Sequence, residues 1–108
     1  MTLISEMHGD RVVARPEGRL DGMNSAAFQG ELLAIVEQGG NVVVDGSALT
    51  YVSSAGLRTF LVAAKAAQAK GFKLSLSALN PSVREIFAVS GFEKIIPIHD
   101  DLAQALSD

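Results

Sequence analysis

The chain of 108 residues contains no cysteine and only two histidines. The missing cysteines exclude disulfides, a thiolate nucleophile and a cysteine-based metal site. His8 and His99 lie near opposite ends of the chain, and no cluster of metal-ligand residues surrounds either one. Asp100-Asp101, beside His99, fits a helix cap better than a metal site. The sequence therefore predicts neither a metal nor a cofactor.

The chain also lacks a basic cluster and a long hydrophobic run. Its net charge is −3, which argues against nucleic-acid binding. No apolar stretch approaches the roughly 20 residues of a membrane helix, and the N-terminus lacks the basic and apolar regions of a signal peptide. With 48% hydrophobic and 19% charged residues, we expect one globular domain over residues 1–108, cytoplasmic and without direct membrane insertion.

The hydrophobic pattern predicts an α/β domain with the element order ββαβαβαβα. Because single helices separate most strands, the sheet should be mostly parallel, with an antiparallel N-terminal edge hairpin and flanking helices. The predicted strands are Leu3–Met7, Arg11–Arg15, a buried run Val42–Val44 extended by Leu49–Val52, a half-buried run Phe72–Ser77, and Lys94–Ile98. The predicted helices start near Ser25, Ser54, Pro81 and Leu102.

Two serines, Ser53 and Ser54, lie where an extended segment ending at Val52 passes into a helix rich in small residues. A helix start presents unpaired backbone N–H groups and a partial positive charge. Such an end accepts anionic groups, including phosphate. The serines therefore either only cap the helix, or one of them is a site where phosphate is added and removed.

Catalytic interpretations of this junction are weaker. Ser54-Ala55-Gly56 has the strand–serine–helix order of a nucleophile elbow, but Val52 occupies the position where that motif requires glycine. Neither histidine has the spacing of a triad base. No phosphate-binding glycine motif occurs. The sequence predicts no catalytic residue, and hence a protein that is not an enzyme.

The helix after Ser54 carries Thr59, Val62 and Ala66 on the face opposite its predicted core stripe, with Arg58 beside them. An outward face is normally more charged than this one. Either alanine is simply tolerated there as the best helix former, or the face is a flat docking surface for a partner helix.

The segment Tyr51–Arg58, YVSSAGLR, resembles the STAS family, and specifically the bacterial anti-sigma-factor antagonists. Further segments match in the same order along nearly the whole chain: Gly18–Asp21, Val42–Asp45, Asn80–Val83 with Phe87, and Ser90–Phe92. The resemblance implies a small STAS-like sheet flanked by helices.

The resemblance also implies a phosphoprotein that switches partners to regulate transcription. The unphosphorylated form would bind an anti-sigma factor that is also a serine kinase, which frees the sigma factor. The kinase would then phosphorylate the antagonist and release it, and a PP2C-type phosphatase would restore it. Ser54 matches the acceptor position. Ser53, which stands where many members have aspartate, is the second choice.

The predicted partner-binding surface comprises Asp21, Ser53, Ser54, Gly56, Arg58, Thr59, Val62 and Ala66. Gly56 would let a partner approach closely or would pack the helix start, and Arg58 would pair with a partner carboxylate or be solvated. Asp21 would contact the partner or cap the first helix. The family also implies an alternative, a non-phosphorylated STAS subunit of a lipid-transport ABC complex or a transporter-associated regulatory module. The sequence gives no indication of the oligomeric state.

Overall fold

Six strands and four helices follow one another along residues 2–107, the part of the chain that the computed structural model describes. The strands are β1 Thr2–His8, β2 Arg11–Leu20, β3 Val42–Asp45, β4 Leu49–Val52, β5 Leu74–Ser77 and β6 Ile98–His99. The helices are α1 Ser25–Glu37, α2 Ser54–Ala69, α3 Pro81–Ser90 and α4 Leu102–Ser107, with a 3-10 turn at Phe92–Lys94.

The sheet runs in the order β1-β2-β3-β5-β6. β1 and β2 form an antiparallel hairpin, and the pairs β2–β3, β3–β5 and β5–β6 are parallel. The predicted fold, a mostly parallel sheet with an antiparallel N-terminal edge hairpin and flanking helices, is confirmed. It follows from the short turn between β1 and β2 and from the helical crossovers that parallel strands require.

β4 is a strand of its own and not an extension of β3, so the predicted element order is wrong by one strand. The Ser47 N–H donates to a carboxylate oxygen of Asp45 at 3.0 Å, and the Leu49 N–H donates to the Gly46 carbonyl at 3.1 Å. This turn ends β3. β4 then pairs in parallel with the far end of β2, from Gly18 to Leu20.

Three phenylalanine rings lie at the centre of the main core, between the sheet and helices α1 to α3. The ring centroids of Phe28 and Phe60 lie 5.5 Å apart, and those of Phe60 and Phe87 lie 5.6 Å apart. α4 covers the opposite sheet face, where Ala105 packs with Val13 and Val43. Adjacent strand residues point to opposite faces, which explains why the valine run of β3 is buried throughout.

Two strand predictions fail at the C-terminal side of the sheet. β5 begins at Leu74, and its serines, Ser75 and Ser77, are buried because α4 packs against this strand; the strand is therefore not half-buried. The last strand is only Ile98–His99, since a 3-10 turn takes the chain from Phe92 to Lys94. Pro97 has no N–H for a sheet hydrogen bond, although its carbonyl accepts from Leu76 at 2.9 Å.

Among residues 2–107, every helix is too short or too polar to span a membrane.

Candidate functional site

Ser53 is the N-cap of α2. Its backbone is extended, with φ −83° and ψ 174°, and its Oγ accepts a hydrogen bond of 3.1 Å from the Gly56 N–H. Its own N–H donates to the Leu20 carbonyl at 2.9 Å. The Ser53 hydroxyl therefore caps α2. The backbone hydrogen bond of Ser53 holds the first turn of α2 against the end of β2.

Ser54, the first helical residue, is exposed. Unlike that of Ser53, its hydroxyl makes no hydrogen bond within residues 2–107. Helix geometry leaves the N–H groups of the first turn without intrahelical acceptors. Because the Ser53 hydroxyl accepts only the Gly56 N–H, the backbone N–H groups of Ser54 and Ala55 remain available to bind an anion at the helix start. Of the two serines, Ser54 therefore has the accessible hydroxyl and the surroundings that suit an added anion.

Gly56 is buried, and its close neighbour belongs to the same chain. A Cβ built on Gly56 would lie 2.7 Å from Leu20 Cγ and 2.9 Å from the Leu20 carbonyl oxygen. The absence of a side chain lets the first turn of α2 press against the end of β2. The expectation that Gly56 admits a partner is replaced by its alternative, a packing role at the helix start.

The predicted outward face of α2 is not an open surface. Thr59 is only 2% exposed and donates its hydroxyl to the Gly56 carbonyl at 2.6 Å, while Val62 and Ala66 are half-buried. For Thr59 the prediction of an outward position is therefore wrong, and α1 packs against α2. Thr59 is an interior residue, whereas Val62 and Ala66 remain partly accessible.

Asp21 shapes the turn between β2 and α1. Its carboxylate accepts from the Met23 N–H at 2.9 Å, its N–H donates to Asn24 Oδ1 at 2.9 Å, and Asn24 Nδ2 donates to the Arg19 carbonyl at 2.8 Å. The turn adjoins α2 through the Ser53–Leu20 hydrogen bond. It presents Met23, whose side chain is 97% exposed.

Met23 was missed by the sequence reasoning, although the signal is visible: one large apolar residue stands between Gly22 and Asn24 in a polar turn. Met23 is the most exposed large apolar residue among residues 2–107, and a flexible methionine on a turn can enter a pocket of a binding partner.

An open groove of ≈ 380 Å³ separates the start of α2 from α3. It is lined by Ser54, Leu57, Ser82, Glu85, Ile86, Val89 and Ser90. Val89, at the groove, is 82% exposed. It was also missed, because it lies off the Val83–Ile86–Phe87 stripe that packs α3 on the core. The groove sets the Ser54 hydroxyl beside apolar surface that a partner can cover.

Charged groups around the site are few. Within residues 2–107, the side chain of Arg58 has no hydrogen bond, ion pair or ring contact. The other arginines are engaged: Arg11 with the Ala105 carbonyl, Arg15 with Asp45, Arg19 over the Tyr51 ring at 4.4 Å, and Arg84 with Asp100. Over the same residues, no three His, Asp or Glu side chains are grouped as a metal site would require.

One buried carboxylate, Asp45, stabilises the turn that leads to β4. Burial raises the pKa of Asp45, but hydrogen bonds from Ser47 and the guanidinium of Arg15 outweigh burial and hold that pKa below its usual value. The Arg15 Nε to Asp45 Oδ2 distance is 3.1 Å. This ion pair fixes the turn, and it is not part of the Ser54 surface.

The sheet and its flanking helices are those of the STAS domain, whose family model matches residues 3–105. The chain belongs to this family.

A curated relative, BtrV of Bordetella bronchiseptica, carries the name of a candidate anti-sigma factor antagonist. It is 37% identical over 99 residues, which cover 91% of this chain and 85% of BtrV. The fold also matches a crystal structure of an anti-sigma factor antagonist from Mycobacterium paratuberculosis, with a TM-score of 0.90 and 23% identity over 98% of this chain and 91% of that one. Another match is the phosphorylated form of SpoIIAA from Bacillus, with a TM-score of 0.73 and 20% identity over 98% of this chain and 97% of that one.

Proposed function

We propose that this chain is an anti-sigma factor antagonist, a single STAS domain over residues 1–108 that binds a protein and catalyses no reaction. The observation that supports this most directly is the unbonded, exposed hydroxyl of Ser54 at the start of α2, beside an open groove. The kinship with BtrV supports the class of partner. In its unphosphorylated form the chain binds an anti-sigma factor with serine-kinase activity, and the sigma factor is released.

The same anti-sigma factor modifies the chain. The Oγ of Ser54 attacks the γ-phosphorus of ATP, the bond from that phosphorus to the β–γ bridging oxygen breaks, and ADP leaves. The hydroxyl proton passes to a base of the kinase. A PP2C-type phosphatase reverses the change: water cleaves the phosphate ester and returns the hydroxyl and inorganic phosphate. Because these partners and ATP act in the cytoplasm, we place the chain there.

Ser54 is a better acceptor than Ser53 for a structural reason. The Ser53 oxygen accepts the Gly56 N–H at 3.1 Å, and losing an N-cap hydrogen bond costs about 1 kcal/mol. Modification of Ser53 would therefore have to replace this cap. Modification of Ser54 removes no hydrogen bond and places negative charge where the helix dipole favours it.

Phosphorylation at Ser54 releases the partner without a change of fold. A phosphoserine carries about −1.5 to −2 charges at neutral pH. A partner packed over the groove would have to bury this charge, and an unpaired buried charge costs on the order of 3–5 kcal/mol. Since about 1.4 kcal/mol is a tenfold change in affinity, the modification weakens binding at least about a hundredfold.

The contact surface that we propose is centred on Ser54 and includes Asp21 with the Met23 turn on one side and Val89 on the other. Arg58 lies on the same exposed side of α2 as Ser54. Ser53 and Gly56 contribute by shaping the helix start, and Thr59 lies inside the fold. Val62 and Ala66, which are half-buried beside α1, are at most the edge of this surface.

Intact-mass measurement and peptide mapping after incubation with ATP and the anti-sigma factor kinase of the same genome test this function. The wild type, Ser54→Ala and Ser53→Ala are compared. We expect one added phosphate on the wild type and on Ser53→Ala, and none on Ser54→Ala. Loss only in Ser53→Ala would move the acceptor by one residue. An unmodified wild type, with a kinase that modifies another antagonist, would contradict the proposal and favour the transporter-associated alternative.

A further inference from the structure

Arg58 lies one helical turn beyond Ser54 and, within the described chain, has no partner of its own. Its side chain is exposed, and it stands apart from the other four arginines, each of which contacts a carbonyl, a carboxylate or a ring. A guanidinium without an acceptor is available to bind an anion.

The helix brings Arg58 to Ser54. Residues four apart lie on one helix face with Cβ atoms about 5–6 Å apart. Helical side chains lean toward the N-terminus and cover the preceding turn, so the Arg58 side chain is long enough to reach a phosphate on Ser54. Lys65, also exposed on α2, lies eleven residues from Ser54, about 16 Å along the axis at the helical rise, and is out of reach.

We propose that Arg58 binds the phosphate on Ser54 within the same chain, so that the phosphorylated protein contains an internal arginine–phosphate pair. This inference rests on the proposed role of Ser54. The planar guanidinium matches two phosphate oxygens at once. The backbone N–H groups of Ser54 and Ala55, unused by the helix, supply further donors. The acidic residue that lines the groove beside Ser54 is Glu85, and Arg58 offsets its repulsion of the phosphate.

The pair gives the switch a second effect. In the unphosphorylated chain, Arg58 is free to meet a carboxylate of the partner. Once Ser54 carries phosphate, the same guanidinium is held by its own chain and is withdrawn from that contact. Arg58 cancels only one of the about −1.5 to −2 charges of the phosphate, so a partner must still bury an uncompensated negative charge, and it also loses the positive charge of Arg58.

The test uses the full chain with phosphoserine incorporated at position 54 during translation, so no kinase is needed. Phosphorus NMR follows the second ionisation of the phosphate, whose ordinary pKa is about 6. A nearby cation favours the dianion and lowers this pKa. We therefore expect Arg58→Gln to raise the phosphate pKa by about half a unit or more. Arg58→Lys keeps the positive charge but loses the planar guanidinium that binds two oxygens, so its phosphate pKa should lie between those of the wild type and Arg58→Gln.

Lys65→Gln is the matched control, because it removes the same charge from the same helix and should leave the phosphate pKa at the wild-type value. Equal phosphate pKa values in the wild type, Arg58→Gln and Lys65→Gln would overturn the pair. An equal rise in both variants would also overturn it, since only general charge would then matter. Because the phosphate is encoded, neither result depends on whether a kinase acts on Ser54.

Discussion

The hydroxyl groups of Ser53 and Ser54 are adjacent in sequence but differ in their hydrogen bonds. The Ser53 hydroxyl caps α2, and the Ser54 hydroxyl has no hydrogen-bond partner among residues 2–107. The sequence places both at the helix start, since a strand-like run meets a helical pattern there. It does not show which oxygen the helix uses, because that depends on where the first turn begins to within one residue. The structure favours Ser54 by fixing this boundary.

Gly56 offers a direct check of the packing at this start. We predict that Gly56→Ala lowers the free energy of unfolding by about 1–2 kcal/mol, since an overlap that includes the Leu20 backbone oxygen costs about 2–3 kcal/mol and the better helix propensity of alanine returns about 1. Gly30→Ala is the control: it lies in α1, and a Cβ there meets nothing within 4 Å. That variant should gain stability.

Urea unfolding measures both variants. If Gly56→Ala were as stable as the wild type, or gained as much as Gly30→Ala, the close contact between α2 and Leu20 would be refuted, and Gly56 would again be a candidate for direct partner contact.

At the level of elements, α2 shows why its small-residue face was misread. Thr59, Val62 and Ala66 have the spacing of one helix face, and their low polarity does suit a neighbouring helix. Thr59 is buried within the fold, and α1 is a helix that packs against α2. A hydrophobic pattern identifies a helix face that becomes buried. It cannot show whether that face packs against the same chain or against a partner, because this depends on how segments far apart in sequence come together.

We predict that the turn between β2 and α1 contributes to partner binding through Met23. Met23→Ala should weaken binding of the anti-sigma factor about tenfold or more, because an apolar anchor that fills a pocket contributes about 2 kcal/mol or more. Stability should stay within about 0.5 kcal/mol of the wild type, since Met23 is 97% exposed. Calorimetric titration and urea unfolding measure the two quantities.

Met7→Ala is the matched control, because Met7 is also exposed, at 62%. Met7 pairs with Val12 of β2, eight residues from the Leu20 end, about 26 Å away at the strand rise. Equal affinity for the Met23→Ala and Met7→Ala variants would remove Met23 from the docking surface.

Across the whole molecule, the main features of the fold were predictable from the sequence. The valine run of β3, the Asn80-Pro81 start of α3 and the Gly91 stop are local signals with one physical reading, and each has the predicted structure. The separate strand β4 and the buried serines of β5 were not predictable, since they result from pairing with β2 and cover by α4, contacts between residues far apart in sequence.

The arrangement of the molecule supports the proposal that one hydroxyl controls binding. β2 and β4 end side by side, and this end of the sheet gathers the Met23 turn, the start of α2 and the groove beside α3. Ser54 lies among these features, so a charge added to its hydroxyl affects the whole surface while the core remains unchanged.

The most direct measurement is the affinity of the chain for the anti-sigma factor, determined by calorimetric titration with unmodified Ser54 and with phosphoserine incorporated at position 54. We predict that the phosphorylated chain binds at least about a hundredfold more weakly, because a partner covering the groove must bury the added charge. Both forms should have the same circular dichroism spectrum. Equal affinities for the two forms would contradict the proposal that Ser54 is the switch.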